Sequence, residues 1–251
     1  MASCGQPVGP DFENEMPVVS CPPQVQAQLL LGQMHVDRGW LAEAFPYFEA
    51  AARSGHPVAV NMLGRAYERG WGVPRNPVQA AAYFETAAAR GETWAMFNLA
   101  DLLLLGDGVP KNRARAYRLY VSSAEKGNVK ALNMLGLLHE DGISGVPDPE
   151  GAKVFFQAAS EGGDCWADLN LARLALAQQD VPVAVSCFQR ALQSGFPDVS
   201  QAIIGLIGLS ENSALHAVKA QAIRQLAQKE PPRIVSTTFD QLSSGERLCA
   251  E

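Results

Sequence analysis

The sequence predicts an all-α solenoid of about five stacked helix pairs, closed at its C-terminal end by two further helices. Three observations carry this. The first is a 36-residue period: Ala59, Ala95, Ala131 and Ala167 are evenly spaced, and Leu63, Leu99, Leu135 and Leu171 keep the same step, as do Gly64, Ala100, Gly136 and Ala172. The second is the pattern inside each unit, where apolar residues recur at helical rather than strand spacing. The third is punctuation by glycine and proline at places where helix pairs turn.

Each unit reads as two helices. In the first helix of the second unit, Ala59, Leu63 and Tyr67 stand four apart and share a face. Gly64 lies beside them, where glycine costs a helix roughly 1 kcal/mol relative to alanine. A small residue held in that register predicts that another helix backbone approaches closely. In the second helix, Ala80, Phe84, Ala87 and Ala88 form the apolar stripe, repeated as Ala116, Tyr120, Ala124 and as Ala152, Phe156, Ala159. Asn76-Pro77 and Asp148-Pro149 read as a capping side chain followed by proline in the first turn. Gly91 and Gly127 read as left-handed helix ends. The middle units join their helices through loops such as Gly70-Trp71-Gly72-Val73-Pro74 and Gly106-Asp107-Gly108-Val109-Pro110. The outer units are 32 residues long and join directly at Arg38-Gly39-Trp40 and Gln179-Asp180-Val181.

A single helix pair cannot bury its own stripe, so units must stack and the stack needs an end. Ser200–Ser210 and Ala214–Glu230 supply two more helical patterns, the second carrying Leu215, Val218, Ala222 and Leu226 on one face. The predicted organisation is a disordered segment over 1–23, a repeat domain over 24–198, capping helices over 199–230 and a disordered tail over 231–251, with Phe239 and Leu242 the tail's candidates for docking.

Composition narrows the function. The 251 residues carry a net charge of −6 with no Lys/Arg block, which gives no reason to expect nucleic acid. No basic start precedes an apolar run, and no apolar stretch approaches the ~20 residues that span a bilayer. A cytoplasmic monomer without direct membrane insertion is expected. The five cysteines, Cys4, Cys21, Cys165, Cys187 and Cys249, have no metal-ligand spacing. Cys165 and Cys187 are expected to stay unbridged, because their helix pairing offsets them by roughly 10 Å along the helices.

Nothing marks an active site. His35 and His139 occupy the repeat position of Tyr67, where a half-buried packing histidine with one satisfied nitrogen is expected. His139-Glu140-Asp141 cannot converge on one ion, because adjacent helix residues point apart. No H-E-x-x-H, P-loop or Gly-x-Ser-x-Gly motif occurs. The expectation is no catalytic residue, no metal and no cofactor.

Residues 59–92, AVNMLGRAYERGWGVPRNPVQAAAYFETAAARGE, resemble a Sel-1-like repeat, a relative of the tetratricopeptide repeat. The small-residue start, the Leu-Gly pair, Tyr67, the Gly-x-Gly-Val loop and the closing Ala-Ala-x-x-Gly carry the likeness. Residues 59–163 resemble the longer Sel-1-like form; 24–58 and 164–198 resemble the shorter tetratricopeptide form. The resemblance implies a right-handed superhelix with first helices lining the concave side, and an adaptor or scaffold that assembles protein complexes. It also implies two other readings. Cysteine-rich bacterial relatives are linked to β-lactam binding or hydrolysis, but they carry a cysteine pair in each repeat, whereas here one repeat has two. Degradation-related relatives act as stress-signalling adaptors.

The residues expected to bind a protein partner follow from the register. Two before and one after each Leu-Gly pair, first-helix residues are expected to leave the packed stripe: Leu29 and Gln33, Asn61 and Arg65, Phe97 and Asp101, Asn133 and Leu137, Leu169 and Arg173. Trp94 and Trp166 flank them. Asparagines suit an extended backbone, arginines suit carboxylates, and Phe97, Leu137 and Leu169 suit apolar side chains. The expected partner segment is therefore extended or helical, partly acidic and partly apolar.

Overall fold

The computed structural model describes residues 21–142 and 145–228. Among these the chain forms twelve α-helices and no strand. In order they are α1 (Pro23–Asp37), α2 (Leu41–Ala52), α3 (Pro57–Arg69), α4 (Pro77–Ala88), α5 (Thr93–Leu105), α6 (Arg113–Glu125), α7 (Val129–Glu140), α8 (Pro149–Glu161), α9 (Cys165–Ala177), α10 (Val181–Gln193), α11 (Pro197–Ile207) and α12 (Ser213–Gln228). Odd and even helices pair as hairpins, and each even helix then packs on the next odd one. The result is an all-α solenoid of five repeat pairs and a terminal pair.

Local chemistry sets the boundaries. Asn76, Asn112, Asp148 and Asp180 each accept a hydrogen bond from the backbone N–H three residues on, starting α4, α6, α8 and α10. Gly91 and Gly127 take the left-handed conformation expected of them, at φ of 83° and 90°. Gln179, at the centre of the α9–α10 turn, is the non-glycine residue at positive φ among the described residues, at 59°. Gly142 is held at 78°, and a Cβ there would lie 2.5 Å from the carbonyl carbon of Val146.

The second-helix aromatics Phe48, Phe84, Tyr120, Phe156 and Phe188 are fully buried. They explain the small residue of the first helix, and they correct the reason given for it. A Cβ on Gly64 would lie 2.7 Å from Cε1 of Phe84. Gly32 and Gly136 meet Phe48 and Phe156 in the same way. What approaches is the aromatic ring of the unit's own second helix, not a neighbouring backbone.

The solenoid's last layer is α11 and α12. Val199, Ile203, Ile207, Leu215, Val218 and Ala222 join the apolar cluster of α9 and α10. α11 begins at Pro197, ahead of the Ser200 expected, because proline is accommodated in a first helical turn. Cys165 and Cys187 are both buried and free. The expectations for residues 1–20 and 229–251 lie outside the described residues.

Candidate functional site: a cavity on the first-helix wall

α7, α9 and α11 are successive first helices, and a cavity of about 310 Å³ opens on their shared wall. Its lining is Asn133 and Leu137 from α7, Trp166, Leu169, Asn170 and Arg173 from α9, and Ala202 and Leu206 from α11. Five of the ten residues expected to bind a partner therefore meet here. Trp166 is 43% exposed and Leu206 37%, so the rim is accessible. Leu169 is buried beneath it.

Two polar features sit in this mostly apolar lining. The Asn170 amide donates to Oδ1 of Asn133 at 2.9 Å, tying α9 to α7. That bond leaves the Asn133 amide N–H groups and the Asn170 Oδ1 with bonding capacity of their own. Arg173 spends its fork on Glu140: Nη1 donates to Oε1 at 2.7 Å, and Nη2 donates to Oε2. The carboxylate holds the guanidinium charged, and the pair leaves less positive charge to offer a partner than an unpaired arginine would.

The other five expected residues lie towards the N-terminal half, where the wall is more tightly closed. Asn61 and Arg65 are buried, contrary to the expectation that they leave the packed stripe. The reasons differ: the next first helix covers Asn61, and the unit's own loop lies against Arg65. Asn98 of α5 donates to Oδ1 of Asn61 at 3.0 Å, and the Arg65 guanidinium lies 5.2 Å from the Trp71 ring centre. Trp94 is half-buried, edge-on to Phe97 at 5.9 Å, with the Lys130 ammonium over its ring. Phe97 is in turn edge-on to Tyr120. Asp101 accepts a hydrogen bond from the Tyr120 hydroxyl, and burial pushes its carboxyl up to about 6. Of the corresponding pair in the first unit, Leu29 is buried and Gln33 donates to Asp37 at 2.7 Å.

Asn98, Asn170, Ala202 and Leu206 were not among the expected residues. The asparagines left a readable signal. Asn61 and Asn98, like Asn133 and Asn170, are 37 residues apart, one more than the period, which is what a bond between adjacent first helices requires. Ala202 and Leu206 belong to the terminal pair and lie off the repeat register.

His35 and His139 make packing contacts. His139 bonds both Asp148, at 2.9 Å through Nδ1, and the Tyr117 hydroxyl, at 3.2 Å through Nε2, so both nitrogens have partners rather than one. His35 stacks on Tyr47. Among the described residues, no group of three or more His, Cys, Asp or Glu side chains is arranged to hold a metal ion. No described helix is long and apolar enough to cross a membrane.

Comparison with known proteins agrees with this architecture. The family model described as Sel1 repeat matches residues 25–56, 57–92, 95–128 and 129–164. The match thus includes the short first unit. None of the curated proteins matches this chain. Among solved structures, a Sel1 repeat protein from Oxalobacter formigenes is similar at 22% identity and a TM-score of 0.66, over 80% of this chain and 87% of that one. The c5321 protective antigen of uropathogenic Escherichia coli, described as displaying an SLR fold, is 24% identical with a TM-score of 0.60, over 87% of this chain and 49% of that one. The immunity protein Pa5087 from Pseudomonas aeruginosa is 18% identical with a TM-score of 0.61, over 82% of each chain. At these identities the structures show a shared fold. With its matched repeats covering more than half of the sequence, this chain belongs to the Sel1 repeat family, whose solenoids generally serve as protein-interaction scaffolds.

Proposed function

We propose that this chain is a non-enzymatic adaptor that seats a segment of a protein partner on its first-helix wall, with the α7–α9–α11 cavity as the main contact. The carrying observation is the cavity, where an accessible tryptophan and leucine surround an apolar floor beside two amide groups. Exposed tryptophan at the rim of an apolar pocket is the arrangement in which interface energy concentrates. A partner's apolar side chain would enter between Trp166 and Leu206, while its backbone meets Asn133 and Asn170. The Arg173–Glu140 pair argues for a partner recognised by shape and backbone more than by acidity. The Asn61, Arg65, Trp94, Phe97 and Asp101 stretch would extend the same surface, with Trp94 and Phe97 its accessible part. The expected setting is the cytoplasm.

The test is a pull-down from the native cell with the wild-type chain, repeated with Trp166→Ala and with Leu206→Glu. Both residues are exposed enough to change without breaking the core. Each variant is expected to melt like the wild type and to retain at most about a tenth of the captured partner, the effect of losing roughly 1.4 kcal/mol or more. Full capture by both folded variants would move the binding surface elsewhere.

A further inference from the structure

The two ends of the solenoid are built differently. On α1, Ala27, Leu31 and Met34 stand on one face at spacings of four and three, and Leu31 and Met34 are each 40% exposed. These are repeat positions. The 32-residue step carries them to Ala59, Leu63 and Ala66, and the 36-residue step then carries them to Ala95, Leu99 and Leu102. All six of those residues are buried, and their helices are packed by the preceding unit's second helix, α2 on α3 and α4 on α5. α1 thus keeps the apolar face of a covered helix, with no described helix before it. At the far end, α12 exposes His216, Gln221, Arg224 and Gln228, with Ile223 exposed among them, a more polar surface than that of α1.

We propose that the outward face of α1 is a self-association surface, on which two copies of this chain pair α1 against α1 across a two-fold axis. The absence of charge fits a second copy as the occupant. A two-fold contact sets a patch against itself, so any charge near its centre would face its like. From Pro23 to Val36, α1 carries no Asp, Glu, Lys or Arg, in a chain of net charge −6. Head-to-tail stacking would set this apolar face on His216, Gln221, Arg224 and Gln228 as well as Ile223 of α12, a poorer match than the face makes with itself. Leu31 lies next to the middle of α1, where two helices crossing on the axis bring it against its own copy. Ala27 lets the backbones come close on one side, and Met34 fills the other. Arg38, the next position of this face, is exposed with its guanidinium over the Trp40 ring, so the uncharged centre of the contact is the Ala27–Met34 stretch.

Light scattering on the full chain over a range of concentrations tests this. The expected mass is twice the 26.9 kDa of one chain, falling to one chain on dilution. Leu31→Glu and Leu31→Lys should each give the single-chain mass with helicity and melting unchanged, since Leu31 is half-exposed. An equimolar mixture of the two should recover the double mass, because glutamate then faces lysine across the contact. Met34→Glu is the independent variant on the same face and should also dissociate the pair. A single-chain mass for the wild type at every concentration overturns the proposal, and is the result expected if another part of this chain or a different protein covers the face. A double mass that survives both glutamate variants overturns it too. Glutamate and lysine variants that stay single when mixed would refute the α1-to-α1 geometry.

Discussion

At the scale of single residues, the repeat is organised by one contact between a ring and a missing side chain. Phe48, Phe84 and Phe156 lie so close to Gly32, Gly64 and Gly136 that an added Cβ would be 2.4–2.7 Å from a ring carbon. Glycine is therefore selected by space here, not by backbone angle. The third and fifth units carry Ala100 and Ala172 at the same register. This makes a double-mutant prediction. Phe84→Ala should cost about 3–5 kcal/mol, the range for a fully buried aromatic. Gly64→Ala should cost about 1–3 kcal/mol through overpacking. Combined, they should cost clearly less than their sum, because the new methyl group enters the space the ring left. Denaturant unfolding of the two single variants and the double variant measures all three values. Strict additivity would mean that the ring does not set the identity of residue 64. The register of these residues was legible in the sequence; the identity of the neighbour was not, because a periodic pattern shows that a position is crowded without showing by what.

At the scale of one helix, α5 carries the acids most disturbed by folding. Glu92 caps it, accepting the Ala95 N–H, and burial pushes its carboxyl up to about 7 against the pull of the backbone N–H groups and of Arg65. Asp101 is raised in the same helix, again by burial first. A raised carboxyl holds its proton in the folded chain after the unfolded chain has released it. Stability is then greatest below the ordinary carboxylate range and falls as pH rises, reaching its floor above the folded value. For Glu92 the window runs from about 4.5 to about 7, and the loss is on the order of 3 kcal/mol. Glu92→Gln keeps an oxygen to accept the Ala95 N–H but has no proton to lose. Its melting temperature should therefore decline less than the wild type's across that window, with the two diverging most near pH 7. Parallel curves would show that Glu92 is not the group responsible. The sequence placed Glu92 just before a helix but gave no sign of its burial, which arises where α5 packs on α4. The lining of the α7–α9–α11 cavity was legible to a similar degree. Stepping along the first helices found Asn133, Leu137, Trp166, Leu169 and Arg173 at the cavity. The same step also found Asn61 and Arg65, because a one-helix pattern does not register that α5 bonds Asn61 or that Trp71 of the unit's own loop lies against Arg65.

At the scale of the whole molecule, the substantial packing among the described residues runs only within a unit or to its neighbours, so stability should be local and the terminal pair should protect what lies next to it. Ile203 is the place to test this. It is fully buried, and it joins the cluster that holds Phe188 and Leu192 of α10 with Leu215 and Val218 of α12. Ile203→Asp puts a carboxylate into that cluster with no partner. Burying an uncompensated charge costs more than the few kcal/mol a terminal helix pair contributes, so α11 and α12 should detach. Three consequences follow in order along the chain. Amide hydrogens of α11 and α12 should exchange freely. Those of α9 and α10 should lose part of their protection, since their apolar faces are newly open to water. Those of α3 to α6 should keep theirs, because no substantial contact links them to the cap. The exposed cluster should also make the variant prone to aggregate, and the α7–α9–α11 cavity should lose its Ala202–Leu206 wall and with it partner binding. Hydrogen exchange read helix by helix separates this from the alternative: uniform loss of protection from α1 to α12 would mean that the solenoid unfolds as one cooperative unit.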